Sequence, residues 1–301
     1  MNFHQFLKCR TMRAIEFRRY VKILISLSYY AGRTILRFIL GRSSAQRLTV
    51  LYYHGISAED RPAFERQIDA LHRRAQVVPA SHRGPLPEGK KCVAITFDDA
   101  FVSVAQNALP KLAEYAFHST IFVPVGWLGR APGWVMNEIE GAIGTGGSSE
   151  AQEVVMSREQ LQALSASLVS LGSHTISHPL MPSLGPKQLR EELEDSKVRL
   201  MQLNRGPILD FSFPYGEYDV GMLADCRAAG YETVYSISSQ EIDTTAPDML
   251  RGRTKVDPSD GPLEFFLKFN GAYQWTRLTT PLKRFLGSMK GGGARDQVTS
   301  R

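Results

Sequence analysis

Cysteine is scarce in this 301-residue chain: only Cys9, Cys92 and Cys226 occur, far apart and without a C-x-x-C pair. That excludes a disulfide scaffold and a cysteine-built zinc site. Long apolar runs are missing too. The uncharged stretch near the N-terminus, residues 23–32, is ten residues long, against the ~20 a bilayer-spanning helix needs. No small-residue cleavage site follows it, as it would in a secretory signal, so the cytoplasmic side is expected. No Gly-rich phosphate fingerprint appears, which disfavours a doubly wound nucleotide-binding sheet. Acids are nearly absent from residues 1–47, where ten Lys/Arg face Glu16 alone and give +9; the rest of the chain carries −3. The basicity belongs to a tail. A nucleic-acid partner, which would call for a basic face with interleaved aromatics, is not expected.

That basic tail has a helical period. At 100° per residue, Arg18, Lys22, Arg33 and Arg37 fall in one arc, and Phe17, Tyr20, Leu24, Leu27, Ala31, Ile35 and Phe38 fall opposite. A basic amphipathic helix in a membrane interface fits this pattern, with residues 17–40 meeting an anionic surface and the protein peripheral to the membrane. The alternative is a helix packed on the protein's own core with its arginines solvated.

From residue 48 onward, short apolar runs alternate with helical stretches: "LTVLYYH", "CVAITFD", "STIFVPV", "SLVSLGS", "ILDFSFP" and "ETVYSIS" are separated by segments of helical pattern. Six or seven such units predict a mostly parallel sheet in a distorted or incomplete (β/α) barrel of about seven strands. The expected division is a basic segment 1–47, a catalytic domain 48–286 and a disordered tail 287–301. Residues 126–156, with Trp127, Trp134 and "GTGGSS", look like an insertion over one rim.

Four polar motifs follow four of the apolar runs. "ITFDDAF" ends a strand on two adjacent carboxylates, Asp98 and Asp99; "SLGSHTISHP" sets His174 and His178 four apart, with Pro179 disfavouring a helix there. "DFSFPYGEYD" ends in a Pro-Tyr-Gly turn, and "VLYYHGI" puts His54 after the first strand. Each alone is an ordinary turn, cap or surface feature. Together they sit where a barrel keeps its chemistry, at the carboxyl ends of strands. Asp99, His174 and His178 offer one carboxylate and two imidazoles with room for water, which is a catalytic metal pattern, and Asp98 is left to act as a base. Zinc is the default ion for such donors, with Co, Ni or Mn able to share them.

These motifs resemble those of the polysaccharide deacetylase (NodB-homology) family of carbohydrate esterases over roughly residues 48–260. "TFDDA" resembles its T-F-D-D-G motif, "SHTISHP" its H-[ST]-x-x-H-P motif and "FPYG" its third. The resemblance implies Asp98 as general base, Asp99, His174 and His178 as metal ligands, and the Tyr215 N–H as oxyanion donor. Most members carry their catalytic His near the C-terminus, but His178 is the last in this chain. In the poly-N-acetylglucosamine de-N-acetylase-like subgroup that motif is displaced to a Y-H dipeptide after the first strand; "LYYHGI" matches it and makes His54 the acid.

Two departures stand out. Ser212 occupies the place of the third motif's Arg, which leaves Arg253 in "RTKVD" to orient Asp98, and Ala100 replaces the glycine of the first motif. The expected activity is hydrolysis of acetamido groups on an N-acetylhexosamine glycan. A glycoside hydrolase on the same barrel, or an inactive membrane-tethered glycan-binding protein, are the alternatives.

Overall fold

In a computed structural model, the structure describes residues 3–40, 47–134, 153–203, 206–246 and 248–277. The strands are β1 (Leu48–Tyr53), β2 (Ala75–Val77), β3 (Lys91–Phe97), β4 (Ser119–Val123), β5 (Val169–Ser173), β6 (Asp210–Ser212), β7 (Thr233–Ser236), β8 (Glu241–Ile242), β9 (Leu250–Gly252) and β10 (Thr254–Lys255). The helices are α1 (Phe3–Ile39), α2 (Arg61–Arg74), α3 (Leu109–Glu114), α4 (Arg158–Gln162), α5 (Pro186–Met201), α6 (Met222–Ala228) and α7 (Pro262–Phe269). Proline in the first turn of α2, α5 and α7 starts each where its missing N–H costs nothing.

The ladder runs β10-β1-β3-β4-β5-β6-β7-β9, and every pairing along it is parallel. Its two ends are neighbours in the chain, separated only by Arg253. Residues 250–255 therefore act as one strand, pairing with β7 through Leu250↔Val234 and with β1 through Thr254↔Leu51. Seven parallel strands thus encircle the core as the alternation predicts. The ring is thinnest between β5 and β6, which share one paired position, Ser173↔Phe211.

Strands buried on both sides read as continuous apolar runs, and their side chains sort by parity. Leu48, Val50, Cys92, Ala94, Phe122 and Tyr235 pack together inside the barrel. Their neighbours Leu51, Val93, Ile95 and Ile121 face outward onto Phe64 and Ile68 of α2 and Leu189 and Leu193 of α5.

The N-terminal helix docks on the domain and leaves its apolar face outward. Part of its basic arc is turned toward the domain: Arg19 Nε donates to Glu264 Oε2 at 2.6 Å, and Arg33 Nη1 to Glu241 Oε2 at 2.6 Å. Ser26 accepts from Trp275 Nε1, and Ile23 and Tyr30 pack against Leu267, Ala272 and Tyr273. The alternative reading is right that the helix packs on the protein's own domain and wrong about the face: the arginines are docked and the apolar face is not. The acids on α7 and β8 give the arginines better partners than water, while Phe17, Leu24, Ile35 and Phe38 stay exposed. Most of the expected rim insertion, including "GTGGSS", and the expected disordered tail lie outside the described residues.

Candidate active site

All four motifs and Arg253 reach the same end of the barrel. A cavity of about 130 Å³ there is lined by His54 after β1, Asp98 and Asp99 after β3, His174 and His178 after β5, and Tyr215 after β6. A wider, open pocket of about 550 Å³ lies at the opposite end, near Arg83, Asp210 and Glu232, and contains none of the candidate site residues.

The backbone at this rim is unusual. Among the described residues six non-glycines have positive φ, and five belong to the motifs: Asp99 (68°), Ala100 (50°), Thr175 (69°), His178 (59°) and Tyr215 (57°). Left-handed conformations cost ordinary residues about 1–3 kcal/mol and persist where surrounding contacts enforce them. They turn the chain sharply enough to aim neighbouring side chains into one cavity. Ala100 is fully buried, so the consequence of its replacing glycine lies in backbone conformation. Gly216 also has positive φ (67°), and a Cβ there would stand 2.3 Å from Ile237.

Asp99 Oδ1 lies 3.4 Å from His178 Nε2 and 3.8 Å from His174 Nε2. One donor atom from each of the three residues falls within 4.8 Å of the others. His174 Nδ1 is 2.8 Å from the Ser212 carbonyl; donating its proton there leaves the Nε2 lone pair facing the cavity. Burial and His174 push His178 down to about 2, so its imidazole is neutral. Burial and the adjacent Asp98 push Asp99 well above the usual carboxylate range. Asp99 Oδ1 and His178 Nδ1 are buried without hydrogen-bond partners. A buried acid with an orphaned oxygen, facing two neutral imidazoles, is a donor set that fits a divalent cation.

Asp98 is held differently. Arg253 Nη1 and Nη2 donate to its two oxygens at 2.6 and 2.8 Å, and Nη2 also donates to Ser212 Oγ at 2.7 Å. The guanidinium is fully buried, with the Tyr52 and Phe122 rings 4.8 and 5.2 Å away. Burial raises the Asp98 pKa, but Arg253, His174 and His54 outweigh it and the net direction is down. The carboxylate stays ionised. Ser212, where the resemblance implies an Arg, instead accepts from an Arg reaching in from the closing strand.

His54 shares the cavity and packs edge-on against Tyr52. Burial lowers it to about 4 despite the opposing pull of Asp98. The Tyr215 ring meets His178 edge-on at 4.6 Å.

Two contributors escaped sequence reading. Glu192 of α5 accepts from Ile176 N at 2.7 Å, Ser177 N at 3.1 Å and Ser177 Oγ at 2.6 Å, bracing the loop between the two histidines. One acid on a charged helix carries no local signal of that role. Trp134 stacks on His178, with centroids 4.0 Å apart and planes 17° apart; the sequence marked it only as part of an insertion.

Known proteins share part of this sequence and the fold. The family model described as polysaccharide deacetylase matches residues 86–234. YxkH of Bacillus subtilis (strain 168), assigned by name to the polysaccharide deacetylases, is 26% identical over 200 residues; the alignment covers 62% of this chain and 63% of that protein's length. Among solved structures, IcaB from Ammonifex degensii matches with a TM-score of 0.60 at 23% identity, over 76% of this chain and 97% of that one. The Streptococcus pyogenes deacetylase PplD matches with a TM-score of 0.60 at 18% identity, over 75% and 99%. Both structural likenesses concern the fold. With the motif residues gathered in one cavity of that fold, residues 86–234 of the chain belong to the polysaccharide deacetylase family.

Proposed function

We propose that the protein is a metal-dependent de-N-acetylase that hydrolyses acetamido groups of an N-acetylhexosamine glycan to acetate and free amine. One observation carries the reading: a single cavity holds an Arg-paired carboxylate, Asp98, beside the convergent Asp99, His174 and His178 donors. Those three residues would hold the cation, by default zinc, which supplies Lewis acidity toward water and the acetyl carbonyl.

The chain's own residues supply the rest. Asp98, kept ionised by Arg253, takes a proton from the attacking water. Tyr215 N–H is the oxyanion donor in this reading. An amine leaves poorly unless protonated, and His54, which lines the same cavity, is the acid in this reading. At about 4, the His54 imidazole is neutral in the resting site, so to act as the acid it takes up a proton from solvent as negative charge builds on the substrate and passes it to the departing nitrogen. A cavity of about 130 Å³ is smaller than the ~300–1,000 Å³ of pockets that enclose a ligand. The glycan would therefore lie across the mouth with one acetamido group inward.

The alternatives fare worse. A glycoside hydrolase needs two carboxylates on opposite sides of the bond, whereas Asp98 and Asp99 are adjacent residues at the end of one strand and Asp99 faces the histidines. An inactive binding protein would have no need of an ionised, clamped base. The deciding experiment pairs metal analysis of the purified protein with acetate release from chito-oligosaccharides. New reducing ends without acetate would overturn the reading.

We further propose a peripheral membrane setting through residues 17–40. No helix among the described residues is long and apolar enough to cross a membrane, and the exposed apolar side chains of α1 support a surface contact.

A further inference from the structure

The two arginine clamps fix how α1 lies on the barrel. Arg19 reaches Glu264 and the Ser259 carbonyl, just past the carboxyl end of β10 and hence at the catalytic rim. Arg33 reaches Glu241, whose strand β8 pairs with the amino end of β1 at the barrel's base. Arg33 lies fourteen positions after Arg19, a rise of about 21 Å at 1.5 Å each, about the length of β1 at ~3.3 Å per residue. So α1 runs antiparallel to β1 along the barrel wall, and residues 3–18 continue past the rim on the side of the mouth.

Over residues 17–39 the outward face of this helix is mainly apolar. Phe17 is 69% exposed, Leu24 63%, Ile35 57% and Phe38 88%, with Tyr20, Leu27 and Ile39 between or beside them. An apolar stripe of this length on a helix signals a covering partner. Even with Arg19, Arg33 and Arg47 paired to acids of the domain, residues 1–47 keep more Lys/Arg than acids, and a second copy would bring two such segments together, which disfavours it. An anionic bilayer meets both features, the apolar stripe and the surplus of Lys/Arg.

We propose that α1 is an in-plane membrane helix whose two arginine clamps lay the barrel on its side, so that the catalytic mouth opens along the lipid surface. The substrate class that follows is an N-acetylated glycan held at that surface by a lipid anchor. This part rests on the de-N-acetylase reading; the membrane seat does not.

The test uses the full chain with vesicles of phosphatidylcholine and phosphatidylglycerol. Vesicle sedimentation is measured beside acetate release from an N-acetylglucosamine oligomer, either free or attached to a lipid in the same vesicles. The chain should sediment with the anionic vesicles, and the Leu24→Glu/Ile35→Glu variant should bind more than about tenfold more weakly. The anchored oligomer should be hydrolysed at least about tenfold faster than the free one by the wild type, because both partners share a surface. The variant should keep the free-oligomer rate and lose that advantage. A chain that ignores anionic vesicles overturns the seat, whether it stays monomeric or forms a dimer that the variant dissolves. Binding with equal rates on both oligomers overturns the sideways mouth. Vesicle binding without acetate from either oligomer upholds the seat and overturns the de-N-acetylase reading for this sugar, and with it the anchored substrate.

Discussion

Arg253 grips Asp98 through two hydrogen bonds of 2.6 and 2.8 Å from a position 155 residues further along the chain. The same guanidinium bonds Ser212 Oγ at 2.7 Å. Removing one partner of a buried pair strands the other, at a cost of roughly 3–5 kcal/mol. Arg253→Ala should therefore lower stability in urea unfolding by about that amount. It should also cut kcat by roughly 10²-fold or more, since the base would no longer be held ionised and aimed. Ser212 sits at the guanidinium's edge, so Arg253→Ala/Ser212→Arg should recover part of both losses. An Arg253→Ala enzyme with full activity would show that Asp98 needs no such support.

The three-residue donor set predicts a different pattern. His174→Ala and His178→Ala should lose metal and activity together while the far-ultraviolet circular dichroism stays that of the wild type. Asp98→Asn should keep its metal and lose roughly 10²–10⁴-fold in rate. In metal-free protein Asp99 is a buried acid with an orphaned oxygen, a costly state for an ionised group. Asp99→Asn should thus leave metal-free stability unchanged or higher, and abolish the thermal stabilisation that added zinc gives the wild type. Equal metal loss in Asp98→Asn and Asp99→Asn would overturn the division of roles.

The barrel was legible because six of its strands are apolar runs buried on both faces. The seventh was not. "LRGRTK" reads as a polar loop, yet Arg251 and Arg253 lie two apart on a strand face and both point into the barrel, 1% and 0% exposed. Arg251 donates to the Ala80 and His82 carbonyls and Arg253 to Asp98, so partners distant in sequence make their burial possible. Candidate site residues could be found from motifs because each is local. Glu192 could not, since its value comes from a loop that folds back onto α5. The orientation of α1 escaped for the same reason: the period showed two faces, while which face docks depends on Glu241 and Glu264.

Glu192 should behave as a positioning residue. It fastens Ile176 and Ser177 through three hydrogen bonds, and losing them in Glu192→Ala should cost about 2–3 kcal/mol. Supports behind metal ligands typically change affinity 10–100-fold. Zinc titration should show a loss of that size, and saturating zinc should restore most of kcat. Glu192→Gln keeps one acceptor oxygen and should fall between. A rate defect that excess metal cannot repair would place Glu192 in the chemistry itself.

His54 offers the sharpest test, because its role depends on the leaving group. Burial holds the imidazole neutral, near 4, so it must first be protonated from solvent, and that proton matters only where the departing atom needs one. An amine does, whereas the phenolate of an aryl acetate departs without help. His54→Ala should therefore keep its metal and lose roughly 10²-fold or more in acetate release from an N-acetyl sugar. It should lose much less on the aryl ester. Equal losses on both would mean that His54 shapes the cavity or binds substrate. If neither rate changed, the proton would come from another group, and the displaced motif after β1 would have no part in the reaction.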